Sequence, residues 1–115
     1  MKKAIYDEDH EKTLGYLVKG STSWETQTIF GYIIERSETE EAATKVLQKQ
    51  GANYLKGTWQ YYDKEERDWF PCIIKHATET QVTVIRTNPM GYQEPEIYKL
   101  VLLKNPDENS LIKSN

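Results

Sequence analysis

Cysteine is almost absent from this sequence, since Cys72 is the only one among 115 residues. A single cysteine cannot form an intramolecular disulfide, and without a CxxC pair the chain offers no cysteine-based zinc site. The motifs GxxxxGK[ST], GxGxxG, HExxH and GxSxG are missing as well. These absences argue against disulfide scaffolds, zinc modules, nucleotide-binding loops and the common hydrolase elbows, and they predict no metal and no cofactor.

Long apolar runs are also missing. No stretch of 18 apolar residues exists that could cross a bilayer as a helix. The opening MKKAIYDEDHEK turns acidic at once and lacks the apolar core of a signal peptide. We therefore expect no membrane contact and a reducing, cytoplasmic location.

Neither half of the chain carries an excess of positive charge. The net charge is −3, with 8 basic and 9 acidic side chains in residues 1–56 and 7 basic and 9 acidic in residues 57–115. Nucleic-acid affinity comes mainly from neutralising phosphates. A nucleic-acid partner is therefore disfavoured, although a local patch with Lys75, His76, Arg86 and Lys99 stays open.

The patterns that are present predict an α+β fold in a single domain, residues 1–115, because the length fits one domain. Residues 37–50 form the clearest helix: Ser37 stands at the N-cap position, Glu40 completes a capping box, and Gly51 follows as the end signal. Its apolar stripe consists of Ala43, Val46 and Leu47. The polar segments 1–12 and 104–115 are expected to be loosely ordered tails. About six strands complete a mainly antiparallel, curled or barrel-like sheet, at 14–20, 26–36, 58–62, 68–76, 81–87 and 97–103.

The segment GTWQYYDKEERDWFPC, residues 57–72, predicts a hairpin around a charged turn. If the turn centres near Glu65, Tyr61 faces Trp69 and Trp59 faces Pro71. Both faces of the resulting sheet are apolar, which a flat sheet with one wet face would not be. Curling into a small barrel, or a cover on each face, would explain the pattern.

Residues 57–103 resemble a Tudor or SH3-like barrel repeat. The resemblance rests on Gly57, Trp59, Asp63, Trp69, Phe70, Ile73, Val82, Val84, Gly91, Tyr92 and Leu100. It implies an alternative function as a reader of a modified peptide or of nucleic acid. It also implies an aromatic, cation-binding cage made from Trp59, Tyr61, Trp69 and Tyr92. Packing of the same rings in the core is the competing interpretation.

Two groupings suggest chemistry but do not support it. Cys72 and His76 are four residues apart on one strand, so about 13 Å separates them, whereas a nucleophile and its base need about 3 Å. Cys72 lies in an apolar run, which predicts a buried, inert thiol. Asp7, Glu8, Asp9 and His10 are better explained as a solvated charge run than as a metal site. We therefore predict no catalytic residues and no enzyme.

The aromatic supply points to binding. Three Trp, eight Tyr and two Phe exceed the roughly eight or nine rings that a core of this size needs. The surplus should lie near loops and strand ends, at Trp24, Tyr62 and Tyr92, as anchors for a partner. The sequence thus predicts a non-enzymatic domain that binds another macromolecule, most readily a protein, in an adaptor, inhibitor or immunity-type role. The oligomeric state stays open.

Overall fold

A computed structural model describes residues 2–7 and 12–114. The chain divides into two compact units, Met1–Leu55 and Lys56–Asn115. The described residues form one helix and two antiparallel sheets, of four and five strands. The α+β class is thereby confirmed, whereas the expectation of about six strands in one sheet is corrected. The expectation of a single domain stays a prediction.

The first unit is a four-stranded meander followed by a helix. Its strands are β1 (Lys2–Tyr6), β2 (Thr13–Lys19), β3 (Trp24–Gln27) and β4 (Ile33–Ser37), paired in chain order, and the helix α1 spans Glu40–Tyr54. β1 lies within the segment that was expected to be loosely ordered; Ile5 is its buried residue and pairs with Gly15 of β2. The burial of Ile5 in the core cluster and the pairing with β2 thus order this segment as a strand.

The strand expected over 26–36 is in fact a hairpin. Gly31 takes a φ of +94°, and the Gly31 N–H donates to Thr28 O at 3.0 Å. The Thr28 hydroxyl also accepts the backbone N–H of Tyr32 at 3.0 Å. A positive φ costs glycine little. An isolated glycine in a continuous apolar run was therefore the one sign of a turn.

The helix α1 begins three residues later than the sequence predicts. Ser37 still pairs with Trp24 in the sheet, so it cannot cap the helix. Thr39 is the N-cap, and its hydroxyl accepts the Ala42 N–H at 3.1 Å. The helix also continues through Gly51, where a Cβ would lie 3.1 Å from Leu47 Cδ1 and 3.3 Å from Leu14 Cβ. Gly51 therefore permits close packing inside the helix and does not end it.

The core of the first unit lies between α1 and the sheet. Ala43 and Leu47 of the predicted stripe are fully buried, while Val46 is half-buried. Ala43 and Leu47 pack with Ile5 and Leu17, and Leu14, Trp24 and Ile34 flank this cluster. The buried Thr26 hydroxyl donates to Ala43 O at 3.2 Å, which fixes the helix to β3.

The second unit is a five-stranded antiparallel sheet. It contains β5 (Trp59–Asp63), β6 (Asp68–Ala77), β7 (Gln81–Arg86), β8 (Leu100–Lys104) and β9 (Leu111–Lys113), in the order β8-β7-β6-β5-β9. β9 comes from the other segment that was expected to be loosely ordered, and Leu111, its fully buried residue, pairs with Tyr61. In the described part of the chain β8 and β9 are the two edges of this sheet, so it is not a closed barrel.

The aromatic hairpin pairs one residue away from the predicted register. Tyr61 pairs with Phe70, Tyr62 with Trp69 and Asp63 with Asp68. The turn holds four residues, and Arg67 takes a φ of +55°. A slip of one residue exchanges the two faces of a strand. Trp59, Tyr61 and Asp63 consequently share a face with Phe70 and Cys72, and not with Trp69.

Candidate functional site

A cluster of charged side chains collects around Asp63, the last residue of β5. Asp63 is only 4% exposed, and its Oδ2 accepts from Lys99 Nζ at 2.6 Å and from Arg86 Nη2 at 2.9 Å. Its Oδ1 accepts the backbone N–H groups of Glu65 and Glu66, at 2.9 and 3.1 Å. One carboxylate thus organises the β5–β6 turn and binds cations from two other parts of the sheet.

Arg86, at the end of β7, joins the cluster to the core. Its Nε donates to the Tyr61 hydroxyl at 2.8 Å, and its Nη2 also donates to Glu66 at 2.6 Å. The guanidinium carbon lies 3.8 Å from the centroid of the Phe70 ring, a cation–π distance. Hydrogen bonds from Nε and Nη2 and the contact with the Phe70 ring together hold this mostly buried cation in place.

The cluster keeps its groups ionised. The hydrogen bond from Lys99 lowers the pKa of Asp63 to about 2, with further help from the backbone N–H groups of Glu65 and Glu66 and against the effect of burial. The same contact with Asp63 raises the pKa of Lys99. Groups paired in this way neither accept nor release a proton near neutral pH. The arrangement therefore fits a structural clasp better than acid–base chemistry.

A cleft of about 560 Å³ runs along β8 and is called the β8 cleft here. Its volume lies within the range of about 300–1,000 Å³ that is typical of ligand sites. One wall is the whole of β8, and the other is formed by the end of β5, the turn after it and the residues before β9. The lining residues are Tyr61, Tyr62, Asp63, Lys64, Glu65, Lys99, Leu100, Val101, Leu102, Leu103, Lys104, Asn109 and Ser110.

The backbone of β8 is paired on one side. The Arg86 N–H donates to Lys99 O at 2.9 Å, and the Asn105 N–H donates to Thr80 O at 2.6 Å. Hydrogen-bonded positions alternate along an antiparallel ladder. The backbone groups of Val101 and Leu103 therefore point to β7, and those of Leu100, Leu102 and Lys104 point away from it. In the described residues β7 is the sole strand paired with β8, so these outward groups form an open edge, the β8 edge.

Apolar side chains are exposed on and before this edge. Leu100 and Leu102 are 51% and 52% exposed, and they share the outer face of β8 with Lys104. Tyr98 is 51% exposed just before the strand, and Met90 and Tyr92 are exposed in the preceding loop, residues 87–99. The side chain of Asn88 accepts the backbone N–H groups of Met90 and Tyr92, which holds the loop tip in shape. Exposed large apolar groups beside an open strand edge are typical of an interaction surface.

The three residues predicted to anchor a partner occupy different settings. Trp24 belongs to the first unit, where it is half-buried against the core. The centroid of its ring lies 5.8 Å from Lys19 Nζ. Tyr62 lines the β8 cleft, half-buried beside Trp69 with ring centroids 5.6 Å apart. Tyr92 is 68% exposed in the loop before β8. Of the three, Tyr62 is the residue that lines the cleft.

The residues of the implied aromatic cage differ in burial. Trp59 and Tyr61 are fully buried, and the Tyr61 hydroxyl belongs to the Arg86 network. Trp69 is half-buried against Tyr62, and Tyr92 is exposed. Trp59 and Tyr61 therefore belong to the buried core of the second unit.

The other residues that the sequence offered for catalysis or metal binding are Cys72, His76 and the acidic run at the start. Cys72 is fully buried, and burial raises the pKa of its thiol to about 12. His76 is exposed and pairs with Thr83 across a bulge. Among the residues that the structure describes, no three His, Cys, Asp or Glu side chains could hold a metal ion together, and no helix is long and apolar enough to span a membrane. Of the acidic run at the start, Glu8, Asp9 and His10 lie outside the described residues.

The sequence did not single out β8 as a site. The sequence KLVLLK, residues 99–104, predicts a buried strand, because it lacks the alternation of apolar and polar residues that is typical of a half-buried strand. A lysine at each end of an apolar strand is common on sheet edges, and this was the signal available. The pairing of Asp63 with Lys99 and Arg86 was hidden because the acidic turn also offers Lys64 and Arg67 as nearer partners.

No family model matches the chain, and the searches of the curated proteins and of the solved structures found no match either.

Proposed function

We propose that this chain is a non-enzymatic domain that binds another protein, and that it does so at the β8 cleft and the β8 edge. The observation that carries the proposal is the combination of a ligand-sized cleft with the half-exposed Leu100 and Leu102 on its rim. Leucine side chains at half exposure leave apolar area in water, and a partner that covers them removes this cost at about 25 cal/mol for each Å².

A protein fits this surface better than a nucleic acid does. The charged lining residues are mixed, since Asp63 and Glu65 stand beside Lys64, Lys99 and Lys104. Lys99 already binds Asp63 at 2.6 Å. A surface that binds a phosphate backbone needs several uncommitted cations along its track, whereas a protein interface has an apolar centre with a polar, mixed-charge rim.

Two of the three aromatic residues predicted to anchor a partner, Tyr62 and Tyr92, are part of the proposed binding surface. Tyr62, one of the three predicted anchors, contributes to the cleft, and Tyr92 stands on the loop that leads into β8. Trp24 supports the core of the first unit and is not assigned to the binding surface.

Affinity capture with paired variants tests the proposal. The full chain is immobilised as wild type, as the double variant Leu100→Ser/Leu102→Ser, and as the control Ile33→Ser/Ile112→Ser. The control also removes two exposed apolar side chains, 41% and 39% exposed, neither of which lines the cleft. A lysate of the native host is applied with and without nuclease treatment, each at low and at high salt.

The expected result is a protein that the wild type and the control capture, that stays bound at high salt, and that the Leu100/Leu102 variant loses. Apolar contacts resist salt, whereas exposed charge contacts are screened. Equal capture by the Leu100/Leu102 variant would refute the site. Capture that nuclease or salt abolishes would instead favour nucleic acid, and turnover of a small molecule by the purified chain would refute the non-enzymatic assignment.

A further inference from the structure

We propose that the partner supplies an extended segment that adds to the β8 edge as a further strand and that carries a carboxylate for Lys104 or Lys64. This inference rests on the proposed function, because it describes how the same cleft holds its protein partner.

The backbone of β8 sets the first requirement. Because alternate residues of β8 bond to β7, the N–H and C=O groups of Leu100, Leu102 and Lys104 are directed to the cleft side. Such a row of donors and acceptors is complementary to another extended backbone, which repeats at the same spacing. The five residues of β8 span roughly 16 Å, enough to pair with a segment of about five residues.

The side chains of β8 set the second requirement. Leu100 and Leu102 face outward, while Val101 and Leu103 are half-buried on the inner face. A strand laid beside β8 places its own side chains next to these leucines and valine, and apolar cross-strand neighbours stabilise such a pair. The added segment should therefore be apolar at alternate positions on at least one face.

The charges of the cleft set the third requirement, which is a carboxylate on the partner segment. Within the cleft lining Asp63 binds Lys99 at 2.6 Å, and Glu65 lies 3.6 Å from the same ammonium. Lys64 and Lys104 are the lining cations with no ion pair in the described part of the chain. Each wall of the cleft thus holds one such lysine, Lys64 beside β5 and Lys104 on β8, and a carboxylate on the added segment complements either of them.

A second copy of this chain fits these requirements less well. Pairing of two β8 strands would bring together residues 97–105, IYKLVLLKN, which contain two lysines and no acidic residue. Lysines on an edge strand oppose self-pairing for this reason. The occupant we infer is therefore a segment of a different protein.

Selection from a phage library of random nine-residue peptides on the full chain provides the probe. The selected peptide is synthesised, and its dissociation constant is measured for the wild type, Leu102→Pro and Leu102→Ser. The Leu102 N–H points away from β7, so proline removes a donor from the open edge without breaking the ladder, as edge strands tolerate. Serine removes the leucine side chain and keeps the N–H.

We expect enriched peptides to alternate apolar residues and to contain Asp or Glu. Leu102→Pro should weaken binding at least about tenfold, because it removes a hydrogen bond and blocks the close approach of a strand. Leu102→Ser should weaken it by a smaller factor. Lys104→Gln or Lys64→Gln should weaken binding about fivefold, as an exposed ion pair allows, while the control Lys75→Gln should not change it. Unchanged binding in both Lys104→Gln and Lys64→Gln would overturn the carboxylate.

A second measurement keeps the inference testable if Leu102→Pro does not fold. The peptide is N-methylated at one amide at a time, and strand addition predicts that every second methylation abolishes binding while those between are tolerated. Failure to enrich any peptide, or equal effects at successive amides, would overturn strand addition. A chain that forms a dimer by light scattering, and loses it in Leu102→Pro, would show that a second copy is the occupant. Capture that still depends on Leu100 and Leu102 would leave the proposed function intact in either case.

Discussion

Lys99 Nζ lies 2.6 Å from Asp63 Oδ2 although β5 and β8 are separated by two strands in the sheet order. In a flat sheet three strand spacings would hold these backbones about 14 Å apart. The contact therefore requires a curled sheet, whose concave side carries the buried Trp59, Tyr61 and Val84. It also joins the two walls of the β8 cleft at one end, so the clasp and the candidate binding site are parts of one arrangement.

Replacement of Asp63 with Asn should destabilise the chain by about 3 kcal/mol, because it leaves Arg86 and Lys99 without their shared, buried carboxylate. Chemical denaturation monitored by tryptophan fluorescence measures the change. Glu65→Gln is the matched control, since Glu65 is 87% exposed and 3.6 Å from Lys99, and it should cost under about 0.5 kcal/mol. Equal effects of the two substitutions would contradict the clasp.

The same carboxylate predicts a pH dependence. The pKa of Asp63 is lowered from 3.8 to about 2 in the folded chain, so its contribution to stability is present well above pH 3.8. It is lost as the pH falls towards 2, because the unfolded chain binds the proton first. The difference in unfolding free energy between wild type and Asp63→Asn should therefore shrink across this window. A difference that stays constant from pH 6 to pH 2 would refute the assignment.

Leu47→Ala should cost about 2–5 kcal/mol, because the side chain is fully buried between α1 and the first sheet and its loss leaves a cavity. A thermal or denaturant melt measures the loss. Gln48→Ala, on the exposed side of the same helix, serves as the control and should change stability by less than about 0.5 kcal/mol. An unchanged melt for Leu47→Ala would remove the helix from the core.

Cys72 should resist thiol reagents in the native chain. It is fully buried, and burial raises the pKa of its thiol to about 12, so both access and thiolate are lacking. Labelling with a chromogenic disulfide at pH 8 should be at least about 100-fold slower than in denaturant. Rapid native labelling would show that the thiol is open to solvent and would reopen a chemical role for it.

The sequence pattern correctly predicted the buried face of the helix, because that face depends only on residues close together in the chain. Ala43 and Leu47 were identified as core residues because their spacing places them on one helix face. The start of the helix was misplaced because both Ser37 and Thr39 can cap, and pairing of Ser37 with Trp24 decided between them. That choice depends on a contact 13 positions away in the chain, which no local rule contains.

The candidate site was hidden for a related reason. The register of the aromatic hairpin depends on the conformation of Arg67 at φ +55°, and a one-residue error there exchanged the partners of Tyr61 and Trp69. The assignment of β8 as an edge depends on β9 returning to pair with β5. Strand order is set by the whole chain, so the sequence of β8 alone could not distinguish an open edge from a central strand.

Amide hydrogen exchange on β8, measured for each residue by NMR, reports whether β8 has an open edge and whether a ligand strand pairs with it. We predict that the Leu100, Leu102 and Lys104 amides exchange fast in the free chain, while Val101 and Leu103, bonded to β7, exchange slowly. On addition of the selected peptide the three fast amides should become protected, and the two slow ones should not change. Slow exchange of Leu100, Leu102 and Lys104 in the free chain would refute the open edge, and no new protection in the complex would refute strand addition.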